Sequence, residues 1–134
     1  DKYAIPCADC IARKKDHIVL VERLTEPYGL ALPGGKREPN ESLYETAVRE
    51  CFEETGMTFL PLQVIGVYGA PDRDPRGRYV STVFLGNVAG EAKGELNKTH
   101  VVLLSQKEIY ERKDEFVCDH FQILCDYFED DIYT

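Results

Sequence analysis

The sequence predicts an α/β fold, a mixed β-sheet covered by helices on both faces, and three observations carry that prediction. Short stretches rich in β-branched and apolar residues recur at 18–21, 63–68, 79–85 and 101–104, each bounded by Gly, Pro, Asp or Lys. A strongly periodic segment at 42–55 interrupts them, and further helical periodicity follows near the end. With 134 residues, 43% of them hydrophobic, the chain suits one domain, residues 1–134, that buries a real core. Strands separated by single helices then imply an α/β/α sandwich.

The short segments, bounded by turn residues, read as strands. In the 42–55 segment, Leu43, Ala47 and Cys51 form one stripe, with Tyr44, Val48 and Phe52 beside it. Its ends are marked by Pro39 and a Ser42/Glu45 capping box at the start, and by Gly56 where a left-handed residue would stop the helix. Ser105 and Glu108 repeat the capping pattern. Residues 116–128 then place Val117, Phe121, Leu124, Cys125 and Phe128 at helical spacing, which predicts a closing helix.

Composition excludes several classes of function. A net charge of −8 opposes a nonspecific nucleic-acid binder, which needs basic patches. No apolar stretch approaches the roughly 18 residues of a membrane span. Five cysteines, Cys7, Cys10, Cys51, Cys118 and Cys125, lack the spacing of a disulfide framework and suit a reduced cytoplasm. Cys7 and Cys10 form a lone C-x-x-C without the second pair or spaced histidines that zinc requires, so the cysteines read as small apolar fillers.

Glu50, Glu53 and Glu54 fall within an arc of about 100° on an ideal helix. Two carboxylates about 6 Å apart repel by roughly 3 kcal/mol at an effective dielectric near 20. Arg49 is the only basic residue between Tyr44 and Thr58, so this face lacks a cation. Mg²⁺, which prefers a few carboxylates together with water and substrate phosphates, fits the need, with Mn²⁺ as the alternative. Just before the helix, Gly34 and Gly35 allow close backbone approach to a ligand, and Lys36 suits a phosphate.

The full pattern runs Gly35, five residues, Glu41, seven residues, then Arg49-Glu50-Cys51-Phe52-Glu53-Glu54-Thr55-Gly56-Met57. Its seven fixed residues would coincide by chance about once in 10⁸ sites. This segment resembles the box of the Nudix hydrolases, departing from it only at Cys51, where the family usually has an aliphatic residue. The resemblance implies the Nudix fold and hydrolysis of a pyrophosphate bond in a nucleoside diphosphate compound. It assigns Glu50, Glu53 and Glu54 to the metal, with Gly35 joining that set in the loop before the helix, Arg49 orienting the carboxylates and Glu41 supporting them. A loop residue, Glu95, is the expected general base, with Glu91 and Glu108 competing.

Downstream, residues 68–81 form a turn-rich segment with three arginines. Its Arg73-Asp74-Pro75-Arg76-Gly77 and Val80-Ser81 resemble a motif of the ADP-ribose pyrophosphatases, in which a proline about 15 residues beyond the box, here Pro71, accompanies that substrate. Arg23, the 26–33 stretch and Cys118-Asp119-His120 extend the likeness over most of the chain. Substrate contacts are therefore expected from Arg23, Lys36, Pro71, Arg73, Arg76 and Arg78, with planar guanidinium donors for phosphate and ribose and Tyr28, Tyr68 or Tyr79 stacking on a base. Leu30, the 100–103 strand and the loop around Glu95 depart from that branch. The alternatives to ADP-ribose are a modified nucleoside triphosphate, a sugar nucleotide, a dinucleotide polyphosphate or, without catalysis, an ADP-ribose-sensing domain. The expected partner is a small molecule, neither nucleic acid nor membrane, and the branch suggests a homodimer.

Overall fold

The computed structural model describes residues 3–130. Seven strands, β1 (Ile5–Lys14), β2 (His17–Arg23), β3 (Gly29–Ala31), β4 (Gly34–Lys36), β5 (Thr58–Tyr68), β6 (Tyr79–Ala89) and β7 (Thr99–Ser105), form one sheet, with helices α1 (Leu43–Thr55), α2 (Gln106–Glu111) and α3 (His120–Glu129). The sheet is mixed: β1 runs parallel to β6 and every other pairing is antiparallel. Along one edge β1 pairs first with β4 and then, from Ala12, with β2. The far half of β2 turns to β3 instead. This handover splits the sheet, and the split is where the functional cavity opens.

Each face of the sheet buries its own cluster. One side packs Ala47 and Cys51 of α1 on Ala8, Cys10, Val19, Phe59 and Phe84. The other packs Ile109 of α2 and Ile123, Leu124 and Tyr127 of α3 on Ile11, Leu20, Val83 and Leu85. The expected three-layer arrangement is therefore present. Cys7 and Cys10, three residues apart on β1, point to opposite faces, so they cannot share a metal ion. All five cysteines are unpaired, and burial pushes the Cys7 thiol up to about 12, the behaviour of an apolar filler rather than a reactive thiol.

The α1 boundaries agree with the sequence signals. Ser42 accepts from Glu45 N–H while the Glu45 side chain accepts from Ser42 N–H, and Gly56 closes the helix at φ 71°. The same reciprocal capping opens α2 at Ser105 and Glu108. The closing helix differs from the expected 116–128 span. Phe116 and Val117 instead attach to Leu30, with Val117 N–H donating to the Leu30 carbonyl, and Cys118 takes φ 52°, so α3 begins only at His120. Three strands lack a sequence signal: β3 and β4 have three residues each, and β1 is buried on both faces and so shows no alternation. Gly35 lies in β4, paired with Ala8, rather than in a loop. No helix among the described residues is long and apolar enough to cross a membrane.

Candidate active site

Between α1, the split sheet and the 70–78 loop lies a cavity of about 460 Å³, within the range that holds a small molecule. Its carboxylate wall comes from α1. Capping fixes the helix start, the Ala47–Cys51 stripe fixes its rotation, and Glu50 and Glu54 consequently face inward. Glu54 is only 9% exposed and accepts from Gly34 N–H at 2.8 Å. Burial, reinforced by the neighbouring Glu50 charge, pushes its carboxyl up to about 8 despite that hydrogen bond. Burial likewise pushes Glu50 up to about 7, with Glu53 adding repulsion and Arg49 opposing it.

The two glycines of β4 separate carboxylates. A Cβ at Gly34 would collide with Asp9 Oδ1, and one at Gly35 with Glu50 Oε2. The pair therefore serves the packing of two acidic side chains against bare backbone, a physical reason for glycine that holds without any special φ.

Arg49 stands behind this wall. Its Nη2 donates to Glu41 Oε1 at 2.7 Å and to the Lys36 carbonyl at 3.0 Å, and its Nε to Glu41 Oε2. Glu41, which also accepts from Thr46 Oγ1 and Glu38 N–H, is held down to about 2, chiefly by the Arg49 guanidinium. Arg49 and Glu41 thus bond to each other rather than to the cavity. Glu53 differs from expectation: its side chain is 47% exposed, turned to Arg49 Nη1 at 3.3 Å, and does not line the cavity. Arg49 Nη1 is also 3.6 Å from Glu50 Oε2. Among the described residues no three His, Cys, Asp or Glu side chains converge as a closed metal cage. The donor set nonetheless suits a hard cation, because carboxylate oxygens meet a cradle that a Cβ would fill, and a cation bound there would complete its shell from water and phosphate.

Glu95 reaches the cavity from the 90–98 loop, 3.7 Å from Lys98 Nζ. This loop is tied to the end of α1: Lys93 N–H donates to Thr55 O, Thr99 Oγ1 donates to Glu54 O, and Glu95 N–H donates to Thr99 Oγ1. Glu91 lies exposed outside the cavity, and Glu108 is engaged in capping α2.

The opposite wall is basic but largely neutralised from within. Arg73, 8% exposed, forks onto Asp119 at the start of α3, with bonds of 2.9 and 2.7 Å, and also donates to the Tyr79 carbonyl. Arg76 pairs in the same way with Asp74 and lies over the Tyr79 ring at 5.5 Å. Arg23 holds the Glu26 and Pro27 carbonyls. Arg23, Lys36, Arg73 and Arg76 line the cavity, whereas Pro71 and Arg78 do not. Of the tyrosines, Tyr79 reaches the cavity, Tyr28 is exposed elsewhere and Tyr68 donates to Asp126.

At the floor lies a pair to which the sequence reading gave no role, Asp9 not being singled out and His120 entering only through the Cys118-Asp119-His120 likeness. Asp9, 7% exposed, accepts from Ser81 Oγ, and His120, also 7% exposed, accepts from Leu32 N–H through Nδ1 at 3.0 Å. The available signal was a lone carboxylate inside the apolar run of residues 5–12.

The NUDIX domain family model matches residues 4–124. An ADP-ribose pyrophosphatase from Methanocaldococcus jannaschii is 37% identical over 121 residues, which are 89% of this chain and 70% of that protein. A bifunctional NMN adenylyltransferase/ADP ribose pyrophosphatase from Francisella tularensis, solved with AMP and a Mn ion, superposes at a TM-score of 0.86 with 28% identity. That match takes in 96% of this chain but 42% of that one. The NUDIX domain of Shewanella oneidensis NrtR, solved with ADP ribose, shares the fold at a TM-score of 0.83 and 20% identity, over 96% of this chain and 89% of that one.

Proposed function

Because the chain belongs to the NUDIX domain family, we propose that it is a pyrophosphohydrolase cleaving a nucleoside diphosphate derivative, foremost ADP-ribose, to AMP and ribose 5-phosphate. The observation that carries this reading is the cavity's mixed polarity: Glu50 and Glu54 line it together with Arg23, Lys36 and Arg76. A polyanionic substrate needs both: the basic side chains would meet its phosphates, and a cation held by Glu50 and Glu54 would offset the carboxylate charge that otherwise repels them. The ADP-ribose pyrophosphatase relative, similar over most of the chain, supports the choice of substrate.

The proposed cation is Mg²⁺, with Mn²⁺ as substitute, held by Glu50 and Glu54 with Glu53 beside them. When bound it neutralises phosphate oxygens and lowers the pKa of a water. The protein's own part is orientation. Gly34 N–H fixes one Glu54 oxygen and leaves the other for the site. Arg49, anchored by Glu41 and the Lys36 carbonyl, sets the position of Glu50 and Glu53. The Glu95 carboxylate is the proposed acceptor of the proton from the attacking water, its loop fastened to α1 at Thr55 and Glu54. The reading extends to a cytoplasmic protein, one domain over residues 1–134, that forms a homodimer.

The test is a panel of ADP-ribose, ADP-glucose, NADH, diadenosine polyphosphates and modified deoxynucleoside triphosphates incubated with Mg²⁺, with products resolved by chromatography. AMP and ribose 5-phosphate from ADP-ribose, at a rate well above the others, is the expected result. Turnover of no compound, with wild type indistinguishable from Glu54→Gln, would overturn the reading.

A further inference from the structure

The cavity floor carries a donor and an acceptor that the proposed hydrolysis does not use. His120 accepts the Leu32 N–H at Nδ1, which places the imidazole proton on Nε2 when the ring is neutral. That Nε2 lies 4.0 Å from Asp9 Oδ2, too far for a hydrogen bond, and no other acceptor engages it among the described residues. Asp9 Oδ2 is taken by Ser81 Oγ, while Oδ1 lies against the Gly34 backbone without a donor of its own. No fully buried side-chain nitrogen or oxygen among the described residues lacks a partner, so both open atoms have access to the cavity, which both residues line. A carboxylate and an imidazole N–H thus stand side by side, each about nine-tenths buried and each with unused hydrogen-bonding capacity.

The chemistry of the pair selects its ligand. A phosphate oxygen only accepts, and Asp9 would repel it. An ammonium only donates, and the Nε2–H would oppose it. A hydroxyl donates and accepts, so one hydroxyl, or a vicinal pair, satisfies both groups. Position narrows the choice further. Gly34 gives its N–H to Glu54 and its Cα face to Asp9, so the floor lies one backbone width from the carboxylates proposed to handle the pyrophosphate. At that distance a sugar, directly bonded to phosphate, is the part of the substrate that arrives.

We propose that Asp9 and His120 form a subsite that reads a ribose hydroxyl of the substrate and makes the cavity selective for ribo over deoxyribo compounds. This deepens the proposed function and rests on the cavity being a nucleoside diphosphate site. Ser81 is a positioning residue that fixes the Asp9 carboxylate, and the Leu32 N–H does the same for the His120 ring.

The test compares ADP-ribose with analogues lacking one hydroxyl on either ribose, and with the inosine counterpart that alters only the base edge. Turnover is measured for wild type, Asp9→Asn and His120→Asn, the latter keeping an acceptor for Leu32 N–H while removing the Nε2 donor. Binding of the same ligands is measured by calorimetry on Glu54→Gln, with and without Asp9→Asn. At least one deoxy analogue is expected to fall about tenfold or more below ADP-ribose in kcat/KM with wild type, and both variants bring that ratio to within about threefold of unity. A general loss of rate with the ratios intact would mark a purely structural role and overturn the proposal, as would a change confined to the inosine counterpart. If wild type turns over none of these compounds, the proposed reaction fails, and the calorimetry decides the subsite separately: equal affinity for ribo and deoxy ligands, or no binding, overturns it.

Discussion

The two walls of the cavity treat charge in opposite ways. On α1, Glu50 has only a 3.6 Å approach of Arg49 and Glu54 only the Gly34 N–H as close internal offset, and burial still pushes their carboxyls to about 7 and about 8. On the 70–78 loop, each cavity-facing arginine already has its own aspartate, Asp119 for Arg73 and Asp74 for Arg76. A wall whose charge is unmet is prepared for a ligand that brings the opposite charge, whereas a wall neutralised from within is first a piece of architecture. The arginines, so prominent in the sequence, therefore hold the loop in place as much as they await a phosphate.

That contrast can be broken most directly at Glu54. Glu54→Gln keeps an acceptor for Gly34 N–H but removes the charge, so kcat should fall about 10³-fold, the scale of losing a preorganised electrostatic group. The thermal midpoint should stay level or rise. A midpoint that drops by many degrees would show this carboxylate to be structural and erase the difference between the walls.

Arg73→Ala should invert that pattern. Removing a 4% exposed guanidinium strands Asp119, itself partly exposed, and should cost about 2–3 kcal/mol in urea denaturation, with the folded fraction still catalytically competent. Full stability combined with lost substrate affinity would instead make Arg73 a ligand group.

A pH series sharpens the comparison. The folded Glu54 carboxyl sits near 8, above its unfolded value of about 4.5. Its contribution to stability is therefore complete below the unfolded value and lost as pH rises through about 8. Mg²⁺, by offsetting the ionised carboxylates, should raise the thermal midpoint more at pH 8.5 than at pH 6, and Glu54→Gln should flatten that difference. An equal Mg²⁺ effect at both pH values would count against the α1 wall as the cation's site. A smaller effect is expected from Arg76→Ala: it leaves the 4% exposed Asp74 carboxylate, which keeps only the residue-76 N–H as donor, so stability should fall by about 1–2 kcal/mol, and KM should move more than kcat.

What was legible in the sequence was local. The ends of α1 depend on Ser42, Glu45 and Gly56, all within a turn of where they act, and the glutamate spacing depends only on helical geometry. The rest depended on distant partners. The late start of α3 follows from Val117 docking on Leu30, eighty-seven residues away in sequence, and β4 exists because β1 offers it an edge. Glu53 was assigned to the metal by resemblance, in agreement with its arc on the helix, but neither fixes the side chain, which is 47% exposed and lies 3.3 Å from Arg49. Asp9 and His120 come together only after the sheet splits and α3 is laid across it. Pro71 and Arg78 entered by resemblance to a motif, and the cavity passes both by.

The attachment of the 90–98 loop to α1 bears on how such a site can diverge. Helix C-terminal carbonyls are ordinarily left to water or capping groups, yet here Thr55 O receives Lys93 N–H from that loop and Glu54 O receives Thr99 Oγ1 from the start of β7, where the loop ends. The loop is thereby indexed to the last turn of the helix, and Glu95 and Glu54 behave as two teeth on one part. Insertions at Gly90 or Glu91, ahead of the first attachment, should leave the spacing of those teeth intact. A single residue added between Lys93 and Thr99 should throw it out of step, so drift in this segment is constrained by phase rather than by composition.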